Sequence, residues 1–235
     1  MSSHFTFYDE DAVTWLFWYL AQYFGSQNSA AGIMGNLWVE SHCCPFELET
    51  HEREYDYCWN YLVQNIRNMS ESEFATDVYG GYYYEGKWYN ARGFGLAQWT
   101  DEGRKRALYR WNNSPGLLGD MQRDTSYLCH DLDTWDPEVG QVLHNNPTIE
   151  QASDIVLSKF EIPRKWQEQI ASRRQYSRDM YADFTGTTPP PAPPDPVYPP
   201  EPVPTPTPGY NRLPIYQLFL LKEAGKQNGR PKRFF

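Results

Sequence analysis

The chain has no apolar run of the roughly 20 residues that a helical membrane span requires, so no segment is expected to cross a bilayer. Basic residues are few: 21 Lys and Arg stand against 30 Asp and Glu, leaving a net charge of −9. Phosphate backbones are bound by clustered Lys and Arg, so an acidic body excludes nucleic acid as the partner. Positive charge is also missing ahead of the aromatic segment 12–24, which follows Asp9, Glu10 and Asp11. A secretion signal begins with basic residues. The expectation is a protein with no signal peptide, made in a cytosol and delivered by cell lysis or by assembly into a particle. Cysteine is sparse as well. Cys43, Cys44, Cys58 and Cys129 do not define a disulfide framework, since adjacent cysteines rarely pair. His42, Cys43, Cys44, His51 and Cys58 lie close in sequence, but their spacing fits no standard zinc pattern. No metal and no cofactor is expected, and the thiols read as free or packed.

What the chain has in excess is aromatic residues and proline. Aromatics make up 17% of its 235 residues, and hydrophobic residues 40%, enough for a real core. The 19 prolines are uneven, because 12 of them fall within residues 187–209. Proline at that density lacks backbone donors and favours an extended left-handed helix of about 3.1 Å per residue. The segment would then span roughly 70 Å as a stiff spacer. Charge divides at the same place. Residues 1–186 hold 15 basic against 27 acidic groups, whereas residues 210–235 hold six basic groups against Glu223 alone. The expected organisation is a folded domain over 1–186, a Pro-rich linker over 187–209, and a short basic peptide over 210–235. That peptide carries Ile215, Leu218, Phe219 and Leu221 and is too small to fold alone. It reads as a docking segment for a larger partner.

Within the domain, residues 11–24 place Val13, Leu16, Phe17, Leu20 and Phe24 at helical steps before Gly25. Residues 30–45, AAGIMGNLWVESHCCP, form the segment around which the rest is arranged. Gly32 and Gly35 each cost a helix about 1 kcal/mol relative to alanine, so their presence predicts another backbone packed close. Asn28 or Ser29 can cap this helix, and Pro45 requires it to stop. Glu40 then sits in the last turn, at the negative end of the dipole and beside Trp38 and Val39. Both influences disfavour its charged form, which predicts a carboxylic acid that keeps its proton near neutral pH. The plain alternative is a solvated acid at a fraying end. Further helices are expected over 55–69, over 101–111, from Pro115, after a Thr148–Gln151 capping box, and from Pro163. The Tyr-rich segment 78–90 reads as a β-hairpin around Glu85-Gly86, and RGFGLAQWT (92–100) follows it directly. The fold class is α+β: mainly helical with a small β-hairpin, followed by the extended Pro-rich tail.

The motifs GNLWVES and GFGLAQW, in this order, together with KFEIP (159–163), resemble the phage tail lysozyme family. They are similar, more distantly, to goose-type lysozymes and soluble lytic transglycosylases. The resemblance spans roughly residues 8–184 and implies a lysozyme-like fold and cleavage of the bond between N-acetylmuramic acid and N-acetylglucosamine in bacterial peptidoglycan. It implies Glu40 as the general acid and Gln98 as a wall of the cleft, either binding the acetamido group of an aminosugar or holding Glu40. The competing reading of Gln98 is that it only ties strand to helix. Trp38, Trp99, Trp88 and Tyr83 are candidate sugar-stacking residues. Glu49, nine positions after Glu40, is the candidate second carboxylate, with Asp56 and Glu85 as other options. Glu161 reads as structural, paired with Arg164 or Arg173. The expected setting is a phage virion, attached to a tail or other virion protein through residues 210–235. A lytic transglycosylase on the same scaffold, or a non-catalytic wall-binding tail component, are the competing functions.

Overall fold

A computed structural model describes residues 5–48, 66–76, 93–112, 115–163 and 165–186, and the backbone of 82–84 and 87–89. The chain divides into two compact units, Met1–Pro194 and Asp195–Phe235. All described residues belong to the first. The expected linker and basic peptide, Glu49, Asp56, the Glu85-Gly86 turn and residues 55–65 of the expected third helix lie outside the described residues.

The architecture is mainly helical. Helix α1, Glu10–Phe24, starts where Asp9 accepts a hydrogen bond from the Ala12 N–H at 2.9 Å and stops at Gly25, whose φ is 68°. Its buried residues are Val13, Leu16, Phe17, Leu20 and Phe24. Helix α2, Gln27–Ser41, follows at once. Its cap is Ser26, not Asn28 or Ser29, with Ser26 Oγ accepting from the Ser29 N–H at 3.3 Å. The other two side chains are used for tertiary contacts: Asn28 donates to the Pro147 carbonyl and Ser29 to that of Leu143.

After α2 come α3 (Glu71–Thr76), strands β1 (Tyr82–Tyr84) and β2 (Lys87–Tyr89), α4 (Glu102–Asn112), α5 (Met121–Thr134), α6 (Pro137–His144), α7 (Ile149–Ile155) and α8 (Trp166–Thr185). The two strands pair antiparallel with Tyr83 opposite Trp88. Helices α3 and α6 were not anticipated. Pro115 opens only a short 3-10 turn, and α5 begins later, under Asp120, which accepts from the Arg123 N–H at 3.0 Å. The Thr148–Gln151 capping box forms reciprocally. Helix α7 passes into a π-helical turn, Val156–Glu161, that ends at Ile162 with φ 47°. Among the described residues no helix is long and apolar enough to cross a membrane.

Helix α2 is the central element, packed on α1, α7 and α8. Residues Ser29 through Leu37 are all buried, so it cannot use one polar face for solvent. Its glycines set the distances. A Cβ at Gly32 would collide with Ala152 Cβ and lie 2.7 Å from the Ser153 nitrogen on α7. One at Gly35 would collide with Ser177 Oγ and lie 2.5 Å from the Ser177 nitrogen on α8. The close backbone approach read from the sequence is therefore present on two sides. Gly35→Ala is expected to lower unfolding free energy by about 1–3 kcal/mol through overpacking, opposite in sign to the gain of about 1 kcal/mol for an open helix position. A urea midpoint equal to or above that of the parent would contradict the packing.

Candidate active site

The last turn of α2 places Glu40 and Ser41 next to each other but turns them to different neighbours. His42 closes the helix in the left-handed region, φ 53°, donating its N–H to the Trp38 carbonyl at 3.0 Å. Glu40 Oε1 accepts from Arg173 Nη2 at 2.5 Å. Arg173 is 2% exposed. Its Nη1 donates to the Asn36 carbonyl and its Nη2 also to Gln169 Oε1, both at 2.8 Å. A guanidinium thus sits where the helix dipole is negative, a favourable placement. This corrects the expectation of an unpaired carboxyl in apolar surroundings. Glu40 has a counter-charge, and 22% of its side chain remains accessible.

Ser41 turns the other way and connects the two central motifs. Its Oγ donates to the Leu96 carbonyl at 2.7 Å, across 55 positions of sequence. The 93–99 loop is built to be held there. Gly95 has φ 79° and its N–H donates to the Glu47 carbonyl at 2.9 Å. Phe94 bridges Leu48 on one side and Trp99 on the other. Gly93 lies against Gln98, whose carbonyl oxygen would be 2.7 Å from an added Cβ.

Gln98, at φ 44°, donates its side-chain Nε2 to the Glu47 and Gly95 carbonyls at 3.1 and 3.0 Å. Its Oε1 is buried without a hydrogen-bond partner. Of the roles considered for it, tying the loop together is the one its nitrogen performs. Trp99 is not a stacking platform: it is 1% exposed, its indole N–H donates to Asp131 Oδ2 at 2.8 Å, and its ring packs on Tyr127. The indole is too well satisfied inside to face a sugar. Trp38 is half-buried against Phe5, Phe7 and His42, with centroid separations of 4.7, 5.5 and 4.8 Å. The side chains of Tyr83 and Trp88, and all of Glu49, lie outside the described residues.

The third motif brings a second carboxyl. Glu161 ends the π-helical turn, and Glu40 and Arg173 both act on it electrostatically. Of its two expected partners only Arg173 is described, and it makes no hydrogen bond to Glu161. Arg173 gives its hydrogen bonds to Glu40, Asn36 and Gln169, and Arg164 lies outside the described residues. Glu161 Oε1 is buried with no partner. Burial pushes its carboxyl well above the usual carboxylate range, the Glu40 charge pushes the same way, and Arg104 and Arg173 pull against them. Arg104 is held by Asp131 at 2.7 Å and lies over the rings of Phe160 and Trp135 at 4.3 and 4.7 Å. Arg104, Asp131 and Arg173 were not singled out as site residues. The pairing read for Glu161 was a signal for Arg173, while Arg104 and Asp131 carry no local signal. Cys43, Cys44 and Cys129 are buried and outside any disulfide, and among the described residues no group of His, Cys, Asp and Glu is suited to hold a metal.

Three motifs far apart in sequence thus meet around the end of α2. The sequence profile of the phage tail lysozyme family matches residues 15–184, taking in all three. The chain belongs to the phage tail lysozyme family. Comparisons with curated proteins and with solved structures returned no match. Membership in the phage tail lysozymes makes the domain a phage-associated, lysozyme-like protein acting on the peptidoglycan of a bacterial cell wall. The family's motifs are joined in this chain chiefly by Ser41. Ser41→Ala leaves the buried Leu96 carbonyl without that donor and is expected to cost about 1–3 kcal/mol. Chemical denaturation measures it, and a change within error would show the contact to be idle.

Proposed function

We propose that the protein is a peptidoglycan glycosidase of lysozyme type, cutting between N-acetylmuramic acid and N-acetylglucosamine with Glu40 as general acid. The observation that carries this reading is the position of Glu40. It is fixed by a buried arginine, partly accessible, and directly beside the serine that fastens the GFGLAQW loop. Cleavage requires protonation of the leaving oxygen while positive charge develops on the sugar. A carboxyl held in one place by Arg173 spends little entropy in reaching that oxygen. Glu49 is the candidate for the second carboxylate, and Tyr83 and Trp88 are the candidates for stacking on sugar faces. Gln98 serves as scaffold for the loop, its amide nitrogen tied to the Glu47 and Gly95 carbonyls. Trp38 and Trp99 belong to packing. Residues 1–186 are the catalytic head, 187–209 the spacer, and 210–235 the peptide that fixes the head to a virion protein, so that it reaches the wall at host entry.

Glu40→Gln is expected to abolish cleavage of purified wall while the protein stays folded. Glutamine still accepts from Arg173 but cannot deliver a proton. Exchanging a charged for a neutral hydrogen bond should cost on the order of 1 kcal/mol. Substantial residual turnover would remove Glu40 from the mechanism. Truncation after Gly186 tests the division of labour. The shortened protein should digest milled wall at the parent rate and no longer co-sediment with virions. Loss of hydrolysis, or of folding, would refute the head-and-tether arrangement.

A further inference from the structure

Four aromatic side chains are exposed among the described residues: Trp18, Tyr23, Trp111 and Trp135. Three of them have their rings or polar atoms engaged with neighbouring side chains. Trp18 meets Phe17 edge-on at 5.2 Å, Tyr23 donates its hydroxyl to Asp133 at 2.7 Å, and Trp111 stacks its face on His130 at 4.8 Å. Trp135 is held differently. It follows α5 and donates its backbone N–H to the Asp131 carbonyl at 2.9 Å. The Arg104 guanidinium lies over its ring, 4.7 Å from the centroid, and also 4.3 Å from the centroid of Phe160, the residue before Glu161. Asp131 fixes that guanidinium through Nε and Nη2 at 2.9 and 2.7 Å, and the same carboxylate takes the Trp99 indole N–H of the GFGLAQW loop. A second link stands three residues on, where Glu138 pairs with Lys159 of the π-helical turn at 3.2 Å. That turn packs on α2 and α8, the helices that carry Glu40 and Arg173. Trp135 is thus fastened to the same frame as Glu40.

We propose that Trp135 is a substrate-binding residue whose outer face stacks on a pyranose ring of the peptidoglycan glycan strand, in a subsite beside the one where Glu40 acts. The proposal rests on the glycosidase reading of Glu40. Arg104 covers one face of the indole, and 48% of the residue remains accessible. The open surface is therefore the opposite face and the ring edge. The C–H face of a sugar is apolar and matches such a face, while the indole N–H can donate to a sugar hydroxyl. Because Arg104 and Asp131 already hold the ring in one orientation, little freedom is lost when sugar binds. A sugar on the outer face also excludes water from the indole, and a desolvated cation–π contact is stronger than an exposed one. The charged surroundings favour a glycan over a protein as the occupant. Arg104, Asp131, Lys159 and Glu138 support the ring and its segment, whereas the core of a protein interface is depleted of charge.

Binding is measured first, on the full chain in a Glu40→Gln background, so that glycan is held without being cut. The probe is a soluble strand of alternating N-acetylglucosamine and N-acetylmuramic acid freed of its peptides, titrated by calorimetry. Trp135→Ala removes the ring. Trp135→Leu keeps apolar bulk over Arg104 but has no flat face, and it carries the test should the alanine variant fail to fold. Both are expected to raise Kd roughly tenfold, and Trp135→Tyr, which restores a flat face, to recover most of that loss. An unchanged Kd in the leucine variant, or no binding by the chain with Trp135 intact, overturns the subsite. An unchanged Kd combined with lost co-sedimentation with virions would make Trp135 a protein-docking residue and overturns it equally. With Glu40 restored, the leucine variant should raise KM for the same strand and leave kcat near that of the parent, the signature of lost uniform binding. A fall in kcat at unchanged KM contradicts that role. Should the parent bind the strand yet leave it intact, the glycosidase reading falls, and the Kd series still decides whether Trp135 holds sugar.

Discussion

The placement of the Glu40 carboxyl depends on one buried guanidinium. Arg173 enters from α8 and spans the last turn of α2, bonding the Asn36 carbonyl with one nitrogen and Glu40 with the other. A buried ion pair is weak evidence of stability in itself, since desolvation offsets much of its attraction. Its value is geometric, because a planar guanidinium fixes direction as well as distance. The contact is possible only because α8 lies close enough, and α8 lies that close because Gly35 has no side chain to keep Ser177 away. Backbone packing at Gly35 thus determines where the Glu40 carboxyl can stand: the glycine sets the distance of α8, α8 brings Arg173, and Arg173 holds the acid.

The same turn of α2 holds the second half of the site. Glu40 and Ser41 are adjacent, so the arginine that fixes one and the Leu96 carbonyl that takes the other lock the helix end from two directions. The GFGLAQW loop beyond it is rigid scaffold. Trp99 fills the interior and reaches Asp131, which in turn holds Arg104 beneath the aromatic rings of Phe160 and Trp135. A connected set of charges runs from the loop to Glu161, and burial makes each member's partner matter more than it would at a surface.

The helical frame was legible because it rests on local chemistry. The apolar spacing of α1, Gly25 after it and the Thr148 capping box are decided within a few residues, and the two glycines of α2 declared a close neighbour without saying which. The partners themselves were not legible. Arg173 lies 133 positions from Glu40, and nothing in either local sequence states that they meet. Reading Glu40 as a carboxyl in apolar isolation followed from the dipole and from Trp38, and it missed the distant cation. Trp99 was misread for a related reason: an indole suits both a sugar face and a core, and only the position of Asp131 decides. The cap of α2 fell at Ser26 because Asn28 and Ser29 were taken by contacts more than a hundred positions away.

The most direct measurement of what this site does is the chemistry of the ends it leaves. Purified peptidoglycan digested with the full chain, then analysed by mass spectrometry, should yield muropeptides with reducing N-acetylmuramic acid ends, one water added per bond broken, as a general acid and a water nucleophile require. Products ending in anhydro-sugars would show that the sugar's own hydroxyl replaces water and would contradict hydrolysis. Glycan strands left intact would contradict a glycosidase altogether.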